Sequence, residues 1–63
     1  MARYVVHIDH VEGWSTGFNV ESVEPEAMLL ARLGREGVVI ERDWEVTFYA
    51  PSQIKSLRIS KED

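Results

Sequence analysis

The run His7-Ile8-Asp9-His10 is the one place in the chain where side chains suited to metal binding or acid–base work crowd together. Imidazole and carboxylate are ligands that zinc and its neighbours accept, and imidazole changes charge near neutral pH. The surrounding residues, Arg3 to Val11, alternate apolar and polar with a period of two. A strand therefore puts His7 and Asp9 on one face and His10 on the other. Three groups so divided cannot close on one ion. A metal held by His7, Asp9 or His10 would need ligands from a second subunit. The expectation is no bound cofactor, with His7 and Asp9 a solvated pair and His10 packed inward.

Other catalytic sets are missing. No Ser or Thr stands in a nucleophile-elbow pattern, and Gly13, Gly17, Gly34 and Gly37 are spread over turns instead of forming a phosphate-cradling loop. A chain of 63 residues also has little material from which to wall a substrate pocket. These points argue for a protein that binds and does not catalyse. Exposed aromatics beside arginine are the usual anchors of protein contacts. Trp14, just after a glycine turn, Tyr49, on the polar side of its strand, and Met28 and Arg32, on the outer side of a helix, are the candidates for binding a protein partner.

A second class of function uses the cations. Arg3, Arg42, Lys55 and Arg58 could hold phosphates while Trp14 or Tyr49 stacks on bases, as in small nucleic-acid-binding barrels. The balance of 7 basic against 11 acidic residues, a net charge of −4, weighs against this and against anionic membranes. The acidic residues gather at Glu21, Glu24 and Glu26 and again at Glu36, Glu41, Asp43 and Glu45. A solvated face accounts for such runs, and mimicry of nucleic acid is the rarer use.

The elements that must position these residues follow from periodicity. Arg3 to Val11 reads as a strand with Tyr4, Val6, Ile8 and His10 on one side. Glu12-Gly13 turns the chain, and Trp14, Thr16, Phe18 and Val20 share a side of the next strand, giving a hairpin over 3–21. Pro25 and the acidic Glu24 and Glu26 open a helix over 25–34 whose apolar stripe is Leu29, Leu30 and Leu33, and Gly34 or Gly37 ends it. A meander over 38–60 then has strands at Val38–Arg42, Trp44–Ala50 and Lys55–Ser60. Trp44, Val46 and Phe48 are expected in the core, with Leu57 and Ile59 inward on the last strand. Pro51 to Ile54 reads as a tight turn, and Ile54, out of step with Leu57 and Ile59, belongs to it. The Arg3–Val11 strand carries few of the charges that blunt a sheet edge, so edge pairing between subunits is expected.

Two local resemblances go with this reading. Tyr49-Ala50-Pro51-Ser52-Gln53-Ile54-Lys55-Ser56-Leu57 resembles the strand, 3₁₀ turn, strand ending of SH3-like and Sm-like small barrels, which implies local geometry and no function. The acidic and aromatic ligand loop of SH3 domains and the N-terminal helix of Sm proteins are absent. His7-Ile8-Asp9-His10 resembles part of the HxHxDH motif of metallo-β-lactamase-type hydrolases, without its first histidine and in a chain several times too short for that fold.

The whole is read as one α+β domain over 1–63 in the order ββαβββ. A single short helix packs on an antiparallel five-stranded sheet, or on a small curled barrel. The chain is 44% hydrophobic with no cysteine and no leader-like or membrane-length apolar run, which points to the cytoplasm. With neither disulfide nor metal to staple so small a core, self-association as a homo-oligomer, most simply a dimer, is expected. The function read from the sequence is a non-enzymatic protein-binding, regulatory or accessory protein of the kind bacteria and phages carry.

Overall fold

The computed structural model describes residues 1–62 and is α+β, with one helix and five strands, all pairings antiparallel. Strand β1 (Ala2–His10) and strand β2 (Ser15–Ser22) form the expected hairpin. Its turn is a type I turn closed by a glycine bulge. Gly13 takes φ 100° and donates its N–H to the His10 carbonyl, while His10 N–H donates to the Trp14 carbonyl. Helix α1 (Glu26–Glu36) starts after Pro25, passes through Gly34 and ends at Gly37. The Gly37 N–H caps the Leu33 carbonyl at φ 93°. A Cβ there would lie 2.7 Å from the Tyr49 carbonyl oxygen, so both the turn and the close approach require glycine.

Strands β3 (Val38–Glu41) and β4 (Val46–Tyr49) make a second hairpin, and a 3₁₀ turn at Pro51–Gln53 leads into β5 (Ile54–Lys61). The chain thus shows a strand, 3₁₀ turn, strand ending. It does not form a three-stranded meander, because β5 leaves β4 and pairs with β1. The strands divide into a three-stranded sheet, β2-β1-β5, and a two-stranded sheet, β3-β4, instead of one five-stranded sheet or a closed barrel. The strand expected to need edge protection, β1, is the central strand, with β2 and β5 at the edges.

The core lies between the two sheets. Val6 and Ile8 of β1 meet Val38 and Ile40 of β3, all essentially buried, with Phe18, Val20, Leu33, Tyr49, Ile54, Leu57 and Ile59 packed around them. The helix packs on β5 of the larger sheet, as expected of a helix on a sheet, and contributes buried Leu29, while the smaller sheet supplies Val38 and Ile40 to the same core. Ile54 joins this core as a residue of β5. The pairing with β1 shifts between Asp9 and His10, so Lys55 is the extra residue of a β-bulge and Ile54 turns inward. Bulge geometry, not the turn, explains its parity.

The larger correction concerns β4. Trp44, Val46 and Phe48, expected in the core, are 76%, 68% and 56% exposed, and Thr47 and Tyr49 face inward instead. Register dictates this. Val38 pairs with Tyr49 and Ile40 with Thr47, so the face that buries Val38 and Ile40 takes Thr47 and Tyr49 with it. The opposite face holds Val39, Glu41, Val46 and Phe48, and burying it would strip water from the Glu41 carboxylate.

Candidate functional site

The polar outer face of the three-stranded sheet carries the residues of the opening motif. β1 puts Asp9 and His7 there, and its register sets Asp9 between Ser15 on β2 and Ser56 on β5, and His7 between Gly17 and Arg58. Ser15 donates to one Asp9 oxygen at 2.7 Å and Ser56 to the other, and Arg58 Nε lies 3.9 Å from the carboxylate. These hydroxyls, Ser56 foremost and then Ser15, with the more distant charges of Arg58 and Lys55, outweigh partial desolvation and hold the Asp9 carboxyl below the usual aspartate range. The expected His7–Asp9 pair gives way to this serine clamp, and the His7 ring lies over Gly17.

His10 is on the inner face, 6% exposed, as the parity requires. Its Nδ1 accepts the Glu12 N–H at 3.1 Å, and its ring stacks on Trp14 with centroids 4.2 Å apart. Tyr49 meets both rings edge-on, at 6.3 Å from His10 and 5.7 Å from Trp14. Trp14, 41% exposed, thus closes this end of the core and still shows one surface outward. Trp14 and Tyr49, two of the proposed partner-binding residues, come together here, with Tyr49 half-buried and not exposed as the sequence implied. Among the described residues no group of three or more His, Asp or Glu side chains is placed to hold a metal ion.

Met28 and Arg32 sit elsewhere, on α1. Met28 is 61% exposed. Arg32 is paired within the chain: its Nε and Nη2 grip both Glu24 oxygens at 2.7–3.1 Å, and Glu36 lies 3.7 Å away. Glu24 is the clasp that fixes the start of the helix. Its carbonyl accepts the Tyr4 hydroxyl and its N–H donates to Ser22. The Arg32 hydrogen bonds lower the Glu24 carboxyl, and Glu24 raises Arg32 in return.

Of the four cations of the nucleic-acid reading, Arg3 and Arg58 lie on the outer face of the larger sheet and Lys55 beside its Asp9, while Arg42 stands apart on the smaller sheet. Arg3 lies beside Glu21 on the outer face of the larger sheet, and Arg58 leans on Asp9. Lys55 sits at the bulge, beside Trp14 and Ser56 in a shallow hollow of about 230 Å³. Arg42 belongs to the smaller sheet's hairpin turn.

What the sequence reading missed is the outward face of β3–β4. Val39, 53% exposed, stands opposite Phe48, with Val46 beside it and the Trp44 indole at the hairpin's tip. The pair Val39–Phe48 belongs to the non-hydrogen-bonded class, which brings the two side chains close. The available signal was Glu41. With the turn at Asp43-Trp44, Val46 and Phe48 must share Glu41's face, and a carboxylate marks that face as outward.

Among the described residues no helix is long and apolar enough to cross a membrane. The chain matches no protein-family model, and neither curated proteins nor solved structures show significant similarity to it.

Proposed function

We propose that this chain is a non-enzymatic protein-binding module, of the regulatory or accessory kind, that associates with a second copy of itself through the outward face of β3–β4. The observation that carries the reading is the exposure of Val39, Trp44, Val46 and Phe48 on one hairpin. Together they present roughly 500 Å² of surface, at the upper end of the largest apolar patch on a typical monomer. A stable interface takes about 800 Å² from each partner, so the helix residues that border Val39 and Phe48, among them Arg32 and Glu36, would join the hairpin in it.

Size supports a second copy as the occupant. The accessible surface is 4414 Å², where a compact monomer of this mass exposes about 4100 Å². The radius of gyration is 11.3 Å, against about 10.6 Å for a compact chain of this length. The two open sheets thus leave more surface than one small core consumes. A two-fold pairing of like apolar faces is the simplest closed arrangement that covers it.

Light scattering across a dilution series tests this. The expected result is a dimer mass at tens of micromolar that falls to monomer on dilution. A monomer mass at high micromolar concentration would remove the reading.

A further inference from the structure

The two sheets leave a cleft of about 480 Å³ lined by Phe18, Asn19 and Val20 of β2 and by Val39 to Arg42 of β3 and its end. Consecutive residues of both strands line it. A hollow on the face of a sheet touches alternate residues only, so this one is bordered by strand edges. β2 and β3 each have one hydrogen-bonded neighbour, β1 and β4, and are not bonded to each other.

Ladder parity identifies the backbone groups that border the cleft. His10 N–H donates to Trp14, so the even-numbered residues of β1 and β2 bond to one another, and the N–H and C=O of Asn19, the residue of β2 in the cleft lining with this orientation, point away from β1, as do those of Gly17 and Glu21 beyond the lining. Arg42 N–H donates to Glu45, so Val38 and Ile40 bond to β4, and the N–H and C=O of Val39 and Glu41 point away from β4. Neither strand carries a proline or a bulge to blunt its free edge.

We propose that this cleft accepts an extended peptide segment of another protein as a sixth strand, hydrogen-bonded to β2 on one side and β3 on the other, joining the two sheets into one. Only an extended backbone offers donors and acceptors to both edges at once. A second copy of this chain does not fit the role. Its strands come attached to sheets, and such an edge can pair with β2 or with β3 but cannot enter between them.

Charge complementarity narrows the segment further. The lining is apolar or amide along Phe18-Asn19-Val20 and Val39-Ile40, and its only charges, Glu41 and Arg42, sit together at one end and offset each other. The segment is therefore uncharged through its middle. Its inward side chains are apolar, to cover Phe18, Val20 and Ile40, and its outward ones are small and polar, beside Asn19. Val39 belongs to both surfaces, its backbone edge to the cleft and its side chain to the outward face of β3–β4, whereas Val46 lies outside the cleft and separates the two.

The probe is a capped six-residue peptide of alternating valine and threonine with a lysine at each end for solubility, added to the full chain and followed by amide hydrogen exchange. The expected result is at least a tenfold slowing of exchange at Asn19 together with Val39 and Glu41. The same peptide with alternate amides N-methylated should lose the effect on one edge. The Val46→Lys variant, with the dimer face disabled, should give the same pattern as wild type. Slowing at only one of the two edges, slowing confined to the Trp44–Phe48 face, or no change at millimolar peptide would each overturn the proposal.

Discussion

The outer faces of the two sheets are built from the same kind of strand and treat solvent in opposite ways. On the larger sheet the outward rows are Ser15–Asp9–Ser56, Gly17–His7–Arg58 and Asn19–Val5–Ser60, polar or glycine except for Val5 at the centre. On the smaller sheet the outward pairs are Val39–Phe48 and Glu41–Val46. A face finished with hydroxyls, an amide and a clamped carboxylate is satisfied in water. A face of valine and phenylalanine is stable only because the other side of its hairpin is held by Val38 and Ile40 in the shared core. The contrast separates residues that hold the fold from residues left over for contact, and substitutions can test that division.

The largest effect is expected inside. Ile8→Ala removes a fully buried side chain that both sheets touch, and should cost about 2–5 kcal/mol in urea unfolding, enough to unfold a chain this small. An Ile8 variant of wild-type stability would mean that the sheets do not share a core. Next is Gly37→Ala, which meets both a positive φ and the Tyr49 carbonyl at 2.7 Å, and should lower stability by about 1–3 kcal/mol. A neutral result would show that β4 can slide away from the helix end, and would weaken the register on which the outward apolar face depends.

The polar face makes a smaller, pH-dependent contribution. Asp9 and Glu24 titrate below their ordinary values in the folded chain. Each therefore stabilises the fold above the unfolded carboxylate value, near pH 4, and loses that contribution as pH falls through the folded value. Asp9→Asn should flatten the acid limb of stability measured between about pH 2 and 5, leaving the Glu24 share in place. An unchanged acid limb would mean that the serine clamp does not hold in solution. The smallest change in stability belongs to Trp44→Ser measured on the dilute monomer, within about 0.5 kcal/mol, because the indole is three-quarters exposed there.

Much of the fold was legible because β1 and β2 have one clearly apolar and one clearly polar side, and because Pro25 and Gly37 bracket a run of helix formers. The opposite faces of His7 with Asp9 and of His10 followed from parity alone. The strongest apolar alternation, Trp44-Val46-Phe48, misled because a hydrophobic period shows that a strand has two faces without saying which one finds a partner. That choice was made across the hairpin by Glu41 and by the register with Val38 and Ile40. The inward turn of Ile54 depended on a bulge at Lys55, and the pairing of β5 with β1 is a long-range contact that no local pattern encodes. Arg32 looked available because its partner, Glu24, lies before the helix, outside the range of spacings along it.

The most direct measurement compares one charge insertion on each outer face by sedimentation equilibrium. The account predicts that Val46→Lys, on the apolar face, sediments as a monomer while Ser60→Lys, on the polar face, keeps the wild-type dimer. A Val46→Lys protein that remains dimeric, or a Ser60→Lys protein that dissociates, would contradict it.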